Sequence, residues 1–326
     1  MRSPAIVRWG GPVDRPFALS LPACCLLLLL AACQLGAQTA WQSLRPAGPP
    51  RTRRMQNKAL SESSGVAVSH SQPGILWSQN DSGNEPTLFA LDTMGTDFGA
   101  VDVRGARNVD WEEIALGPCS VGRCIYIADT GDNNENRESV TLYRVPEPTL
   151  SRNAGALHTA LAEAVYFRYP DGSHDVEAMY VDALGDSYLI SKGRTGAVLL
   201  YRIPAAAWKS RATAIAELLG PVPIPTAREL GRLVTGAALS PDGEHVAVRT
   251  YRDVFVFRKQ ADGRLADQTH QFLDVRGFEL QGEGVDWLDA HTFVLTGERA
   301  FGQASTVTVV SCPDALLDHS YTSARR

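Results

Sequence analysis

The sequence predicts an all-β protein folded as a β-propeller of five blades. A short acidic motif opens five units of similar length. Each unit continues as short apolar strands separated by Gly, Pro, Asn and Asp turn residues. The strongest copy lies between Asn108 and Asn133, where NVDWEEIALG precedes CIYIADTGDNN. Radial repetition of a unit rich in short strands is typical of a propeller.

Aligning the apolar steps of the five motifs places one residue of each unit in a common column. The column consists of Ser64, Glu112, Glu177, Thr235 and Glu283. Two positions earlier, the aligned residues are Glu62, Asp110, Asp175, Leu233 and Gln281. The first strand of a propeller blade lines the central channel. We therefore expect the three glutamates of the column to converge on one axis, with the two hydroxyl residues completing a ring.

The chain opens with a segment typical of a bacterial lipoprotein signal peptide (residues 1–33). Arg2, Arg8 and Arg15 accompany the apolar run LSLPACCLLLLLAA, which is too short to span a bilayer. The run ends in Leu-Ala-Ala-Cys33, which resembles the lipobox whose cysteine is acylated. The alternative is an ordinary cleavable signal with an incidental cysteine. Gln34, in place of the Asp that retains lipoproteins at the inner membrane, favours the periplasmic face of the outer membrane.

Residues 34–59 are expected to form a Pro-rich and Arg-rich tether. Without residues 1–33, which hold three Arg and one Asp, the chain has 28 basic and 35 acidic residues, a net charge of −7. This acidic balance argues against a nucleic-acid partner. The basic residues that do cluster are Arg45, Arg51, Arg53, Arg54 and Lys58. Beside a lipid anchor they would face anionic headgroups, and the alternative is a solvated linker.

The propeller is expected over residues 60–312, and residues 313–326 are expected to be a loose tail. The first four units each contain four strand patterns, whereas the fifth contains three: EGVDWLD, TFVLTGE and STVTVVS. Because propellers close by pairing strands from the two ends of the chain, we predict that residues 40–60 supply the missing outer strand. A sixth, degraded blade is one alternative. A two-sheet sandwich fits five copies of one motif poorly.

Two cysteines are predicted to form a disulfide. Cys119 and Cys124 flank the short turn PCSVGRC between two predicted strands, and an oxidising periplasm would join them. The alternative is a pair of free thiols. Zinc is not expected, because no second Cys or His pair lies at ligand spacing. Cys312 has no evident partner.

The ends of the second strands are expected to meet the glutamate column at one mouth of the channel. The predicted ligand-binding residues are Glu112, Glu177, Glu283, Asn80, Asp81, Lys192 and Arg249. The electrostatic repulsion between converging carboxylates must be reduced by protonation, by basic partners or by a metal. Oxygen ligands of this kind suit Ca²⁺, and the predicted metal ligands are Glu112, Glu177, Glu283 and Asp132. The alternative is that Lys192 and Arg249 neutralise the ring.

The loop after the second strand of unit two resembles a calcium loop only in part. Asp132, Asn134 and Asn136 have the spacing of an EF-hand, but Arg137 stands where its turn requires Gly and Tyr143 where it requires Glu. A polar turn is therefore predicted. The chain has no G-x-S-x-G, P-loop, H-E-x-x-H or C-x-x-C motif, so no standard catalytic signature is present.

The motifs together resemble an uncharacterised group of bacterial lipoprotein-type β-propellers. Over residues 60–300 the likeness rests on ESSGVA, WSQNDSG, DWEEIA, DTGDN, YRVPEP, DVEA, TGAALSPDG and EGVDW. The chain is more distantly similar to esterase-like phytase, SdiA-regulated and gluconolactonase-type propellers. Several of those hold Ca²⁺ through Glu, Asn and Asp and hydrolyse phosphate esters or lactones. Glu112, Glu177 and Glu283 match the acidic strand starts of those propellers, and the resemblance implies that they would be the Ca²⁺ ligands. The fourth unit has Thr235 in place of a carboxylate.

These observations lead to two hypotheses about function, and whether the chain is an enzyme stays open. The first is a lipid-anchored binding or scaffolding module that takes a small ligand or an envelope protein through an acidic channel. The second is a Ca²⁺-dependent hydrolase of a lactone or phosphate ester. No cofactor is certain, and Ca²⁺ is the one the carboxylates would suit.

Overall fold

The computed structural model describes residues 41–150, 157–194, 196–225, 232–267 and 269–317. The predicted signal peptide with Cys33, the start of the tether (residues 34–40) and the end of the tail (residues 318–326) lie outside the described residues. Within the described ranges, none of the helices has the length and apolar character needed to cross a bilayer.

The described chain is almost wholly β-structure, with a 3₁₀ turn at Ala205–Lys209 and a short helix α1 at Asp314–Leu317. The strands in chain order are β1 Gln42–Leu44, β2 Arg51–Arg54, β3 Ser63–Val68, β4 Leu76–Asn80, β5 Thr87–Leu91, β6 Asp97–Asp102, β7 Trp111–Cys119, β8 Gly122–Asp129, β9 Val140–Pro146, β10 Leu157–His158, β11 Glu163–Arg168, β12 Val176–Val181, β13 Ser187–Ser191, β14 Leu199–Ile203, β15 Ala214–Ile215, β16 Glu217–Pro221, β17 Val234–Leu239, β18 His245–Thr250, β19 Asp253–Lys259, β20 Leu265–Ala266, β21 Gln271–Asp274, β22 Gly282–Asp289, β23 Thr292–Gly297 and β24 Thr306–Ser311.

These strands form the five blades of a β-propeller, as the repeated motif predicts. From the inner strand outward, the blades are β3-β4-β5-β6, β7-β8-β9-β11, β12-β13-β14-β16, β17-β18-β19-β21 and β22-β23-β24-β2. All pairings within a blade are antiparallel. The first two strands of the fourth blade are joined by the turn Pro241-Asp242-Gly243, in which Gly243 has a positive φ of 76°.

The ring is held together by apolar clusters that each lie between two neighbouring blades. Trp77 and Trp111 are buried between blades one and two, and Trp287 is buried between blades four and five. Further clusters join blades two and three and blades three and four. A smaller cluster, which includes Leu76 and Val294, joins blade five to blade one. Apolar burial therefore continues around the ring, which is why five weakly similar units stack radially.

The N-terminal segment closes the ring, as predicted from the three-stranded fifth unit. Strand β2 pairs antiparallel with β24, with Arg51 opposite Val309 and Arg53 opposite Val307. Strand β1, which the sequence pattern does not reveal, pairs in parallel with β21 of blade four. Blade five is therefore built from both ends of the described chain, an arrangement that removes an unpaired edge from β24.

The predicted disulfide is present. Cys119 and Cys124 are bonded across the turn between β7 and β8, with 5.8 Å between their Cα atoms. Cys312 is a free thiol buried in the cluster between blades four and five. The first residues of the predicted tail form α1, whose Leu316 is buried in the same cluster.

Candidate functional site

The repeated motif places a β-bulge at the same position of every inner strand. In each blade the register between the first and second strands skips at the column residue. The skips fall between Ser63 and Val66, Trp111 and Glu113, Val176 and Ala178, Val234 and Gly236, and Gly282 and Val285. A bulge takes a side chain out of the regular alternation and redirects it. Each copy of the motif therefore coincides with a β-bulge in the inner strand of its blade.

The column residues are buried and contact one another across neighbouring blades. The Ser64 hydroxyl donates to the carbonyl of Glu112 at 2.7 Å and lies 3.4 Å from its Oε2. In the same way, the Thr235 hydroxyl donates to the carbonyl of Glu283 at 3.0 Å. The hydroxyl members of the column therefore link inner strands of adjacent blades.

Five carboxylates from blades one to three lie close together, and we call them the carboxylate cluster. Single oxygens of Asp81, Asp110 and Glu112 lie within 4.8 Å of one another, and so do single oxygens of Glu112, Asp175 and Glu177. Glu112 belongs to both groups and connects them. Asp81 follows β4, whereas Asp110 and Asp175 precede β7 and β12 by one residue. Antiparallel pairing of the first two strands brings these ends together.

Burial raises the pKa values of the cluster acids. It raises the pKa of Asp110 to about 6, with Asp81 and Asp175 adding to the shift through charge repulsion. It raises the pKa of Glu177 to about 7 against the opposing effect of Lys192. The pKa of Glu112 lies well above its usual range because of burial and then the charge of Glu177. Part of the cluster is therefore protonated near neutral pH.

Two basic side chains bind one end of the cluster. The Lys192 ammonium, itself buried, donates to Oε1 of Glu177. Burial opposes the charge of Lys192, but Glu177 and other acids raise its pKa above the ordinary value. Arg194 donates to Oδ2 of Asp175 at 2.7 Å, and the backbone N–H of Asp132 donates to Oδ1 at 3.0 Å. The blade-three end of the cluster is thus neutralised in part.

Two of the predicted metal ligands lie outside both groups of the cluster. Glu283 accepts from the amide of Gln281 at 3.1 Å, and this amide also donates to Glu298 at 2.5 Å. Burial followed by the charge of Glu298 raises the pKa of Glu283 well above its usual range. The Asp132 carboxylate instead accepts from the backbone N–H of Arg137 at 2.6 Å, which closes its own polar turn. The structure brings Glu112 and Glu177 together, and the prediction for the other two stays a prediction.

Two other predicted ligand residues have structural partners. The Asn80 side chain accepts from Glu62 N at 2.9 Å and donates to the carbonyl of Ala59 at 2.7 Å. Arg249 forms an ion pair with Glu279, and both side chains are 1% exposed. Arg249 also donates to the carbonyls of Gly284 at 2.6 Å and Thr296 at 2.9 Å. Arg249 therefore joins blades four and five, and of the two predicted basic residues Lys192 is the one that contacts the cluster.

Glu113, an acid of the strongest motif that was not predicted to belong to the site, lies in the space enclosed by the inner strands. The residues directly after the column are Gly65, Glu113, Ala178, Gly236 and Gly284. Glu113 is the one long side chain in this row, and its carboxylate accepts from Ile114 N at 3.0 Å and Ala237 N at 3.1 Å. A Cβ on Gly65 would lie 2.3 Å from its Oε1. The small residues therefore make room for one buried carboxylate, whose pKa is raised well above its usual range by burial.

A cavity of about 520 Å³ lies farther along the inner strands, beyond Glu113. Its lining includes Val66, Leu116, Tyr180, Leu239 and Asp286, so the inner strand of every blade contributes. None of its lining residues belongs to the carboxylate cluster. Cavity and cluster are therefore distinct features. The cluster has the chemistry of a cation site, whereas the cavity has the size of a small-molecule pocket.

No protein-family model matches this chain. Over 129 residues, the chain is 33% identical to the arginine–tRNA ligase of Azorhizobium caulinodans. That stretch is 38% of this chain and 22% of the ligase, so the chain spans about a fifth of the ligase it matches. The family resemblance stated from the motifs therefore stays a prediction.

Two solved structures illustrate how distant the structural likenesses are. The hydrazine synthase of Kuenenia stuttgartiensis matches 78% of this chain and 64% of its own, with a TM-score of 0.37 and 14% identity. The nidogen/laminin complex matches 73% of each chain, with a TM-score of 0.41 and 11% identity. Likenesses of this degree carry no argument about function.

Proposed function

We propose that this protein is a lipid-anchored binding module of the bacterial cell envelope whose carboxylate cluster holds a divalent cation. The propeller fold is consistent with a binding or scaffolding module. The cation part rests on one observation, the position of Glu112, which shares close contacts with Asp81 and Asp110 on one side and with Asp175 and Glu177 on the other.

The distribution of basic partners points to one half of the cluster. Among the described residues, Lys192 pairs with Glu177 and Arg194 pairs with Asp175, whereas Asp81, Asp110 and Glu112 have no ion pair. The repulsion among three close carboxylates without a basic partner is reduced by protonation or by a bound cation. Asp81, Asp110 and Glu112 would therefore hold the ion.

The donor set fits a hard cation such as Ca²⁺. All donors in the cluster are carboxylate oxygens, without sulfur or imidazole ligands, and Ca²⁺ prefers six to eight oxygens from carboxylates, carbonyls and water. When bound, such an ion would neutralise the acids. Lys192 and Arg194 would hold the neighbouring carboxylates in place beside it.

We expect Ca²⁺ to raise the melting temperature of the protein, and more strongly at pH 8 than at pH 6. The cation competes with protons, and the pKa values of Asp110 and Glu177 are raised to about 6 and about 7, so the acids deprotonate over this interval. At one hundred times the dissociation constant, binding stabilises by about 2.7 kcal/mol. Calorimetric titration and thermal melting with Ca²⁺ or EDTA measure both effects.

Two buried glutamates of the same column provide a matched comparison. Glu112→Gln should weaken Ca²⁺ binding about tenfold or more, because the loss of one charged ligand costs a charge-assisted contact of about 1.5–3 kcal/mol. Glu283→Gln should bind like the parent, since Glu283 lies outside both groups. Equal weakening by the two variants would favour the ring of Glu112, Glu177 and Glu283. Failure of every divalent ion to bind at pH 8 would remove the cation proposal.

A Ca²⁺-dependent hydrolase of a lactone or phosphate ester is the alternative function. It is favoured by the pKa of Glu177, which burial raises to about 7 and which is therefore suited to proton transfer near neutral pH. The bond from Lys192 would orient this carboxylate. Ester, lactone and phosphatase assays with Ca²⁺ distinguish this function from binding alone.

The envelope location rests on the signal and lipobox pattern that ends at Cys33. We expect cells that produce the full chain to incorporate a labelled fatty acid into it, and Cys33→Ser to abolish incorporation. The protein should fractionate with the outer membrane. Labelling that survives the Cys33→Ser change would contradict acylation at this position.

A further inference from the structure

Residues 41–60, here called the rim segment, form part of the folded propeller and border three blades. Strand β1 pairs with β21 of blade four, and β2 pairs with β24 of blade five. Between them, Ala47 N donates to the carbonyl of Ser311. Farther on, Gln56 N donates to the carbonyl of Gly95 in blade one. The second half of the predicted tether is therefore held against the outer edges of the blades.

The rim segment is strongly basic on a chain that is otherwise acidic. It contains no Asp or Glu, and its five basic side chains are all exposed: Arg45, Arg51, Arg53, Arg54 and Lys58. Among the described residues, none of the five forms an ion pair. The hydrogen bond of the Arg53 side chain goes to the neighbouring carbonyl of Thr52. Elsewhere, exposed arginines such as Arg264 and Arg276 pair with the nearby acids Asp262 and Asp274.

The arginines of β2 project from both faces of an edge strand. Successive side chains of a strand alternate between faces, so Arg51 and Arg53 share one face and Arg54 lies on the other. In the described residues, β10, β15 and β1 cover the outer edges of blades one, two and four, whereas β2 ends the sheet of blade five. An edge that carries charge on both faces suits a planar anionic partner that meets the blade edge-on.

We propose that the rim segment contacts the anionic lipid headgroups of the membrane and holds the propeller edge-on to the bilayer. This inference rests on the envelope location proposed above. Gln42 is nine residues from Cys33, so an acyl chain on Cys33 would lie within about 30 Å of β1 along an extended chain. Basic residues close to a lipid anchor add electrostatic attraction to it.

Arginines on an edge strand also have a second physical use. They prevent strand-to-strand pairing between copies of a protein. The two uses predict different results when the charges are removed, because loss of edge protection changes the oligomeric state without changing lipid binding. The experiment therefore measures both properties.

Vesicle binding of the full chain carrying Cys33→Ser tests the proposal. The rim variant carries Arg45→Gln, Arg51→Gln, Arg53→Gln and Arg54→Gln. The control variant carries Arg104→Gln, Arg123→Gln, Arg168→Gln and Arg211→Gln, which are exposed and without ion pairs among the described residues. Both variants lose four positive charges. Co-sedimentation is measured with phosphatidylcholine vesicles and with vesicles that contain about 30% phosphatidylglycerol, an anionic lipid.

We expect the parent and the control variant to prefer the anionic vesicles, with binding that falls as salt is added. The rim variant should bind them roughly several hundredfold more weakly, since each of the four basic residues near an anionic surface contributes about a fivefold factor. Pure phosphatidylcholine vesicles report any attraction by the apolar N-terminal segment, which is the same in all variants.

Two results would overturn the proposal. One is equal binding by the rim and control variants, and the other is equal binding of the parent to both vesicle types. If the rim variant dimerises in light scattering while it still binds vesicles, the arginines protect the edge and do not contact lipid. The Ca²⁺ response of the rim variant should match the parent. The two tests are therefore independent. A protein that does not bind Ca²⁺ can still bind anionic vesicles through the rim segment, and a protein that does not bind vesicles can still bind Ca²⁺.

Discussion

Replacing Arg249 by Ala is expected to lower the free energy of unfolding by about 4 kcal/mol. The change leaves the Glu279 carboxylate, 1% exposed, without its counter-charge between blades four and five. It also removes donors to the carbonyls of Gly284 and Thr296. Gly282 is required beside this pair, because an added Cβ would lie 1.8 Å from Nη2 of Arg249. Urea unfolding of parent and variant measures the loss.

Two measurements separate the loss of the buried ion pair from a general loss of positive charge. They are the pH dependence of the unfolding free energy and a control substitution in an exposed ion pair. Burial raises the pKa of Glu279, so protonation is within reach once Arg249 is absent. A raised pKa means that the folded state binds the proton more tightly, and the deficit of the Arg249→Ala variant should therefore shrink as the pH falls. Arg258→Ala, which breaks an exposed contact with Glu244, should cost no more than about 1 kcal/mol. Equal losses for the two variants would contradict the structural role of Arg249.

Replacing Glu113 by Ala is expected to lower the free energy of unfolding by about 3–4 kcal/mol, because each buried donor left without an acceptor costs about 1–3 kcal/mol. Glu113 accepts from the N–H groups of Ile114 and Ala237, which belong to blades two and four. Its removal also leaves a void beside Gly65 and Gly236. Thermal and urea unfolding report the change.

A conservative variant and a surface variant complete this test. Glu113→Gln keeps one carbonyl acceptor but turns an amide N–H₂ toward the other backbone donor, so it should lose about half as much stability as Glu113→Ala. Glu163→Ala, which removes an exposed carboxylate paired with Arg144 of β9, should cost no more than about 1 kcal/mol. A Glu113→Ala variant as stable as Glu163→Ala would show that the inner strands do not depend on this carboxylate.

The fold could be predicted because its determinants are local and repeated. Alternating apolar patterns define the strands, and the missing fourth strand of the fifth unit predicts the closing strand β2. The aligned column also located a structural feature, since the register skips at Ser64, Glu112 and their counterparts. The disulfide between Cys119 and Cys124 followed from the short spacing across a hairpin turn.

Which acids lie together in the carboxylate cluster was harder to predict from the sequence. The column grouped Glu283 with Glu112 and Glu177, yet the acids closest to Glu112 include Asp110 and Asp175, two positions before the column. These aspartates formed an aligned set of their own and could have been included. Glu279, the partner of Arg249, lies outside every aligned position, so no repeat pattern reveals it.

The number of blades, their order around the ring and the closing strand β2 could be predicted from the sequence, because each depends on short-range alternation and on a motif repeated five times. Which acids meet and which cations reach them depends on side-chain contacts between blades that are distant in sequence. Lys192 contacts Glu177 whereas Arg249 contacts Glu279, although both basic residues stand at the end of a second strand. That difference depends on side-chain distances across the ring, which the repeat pattern of the sequence does not specify.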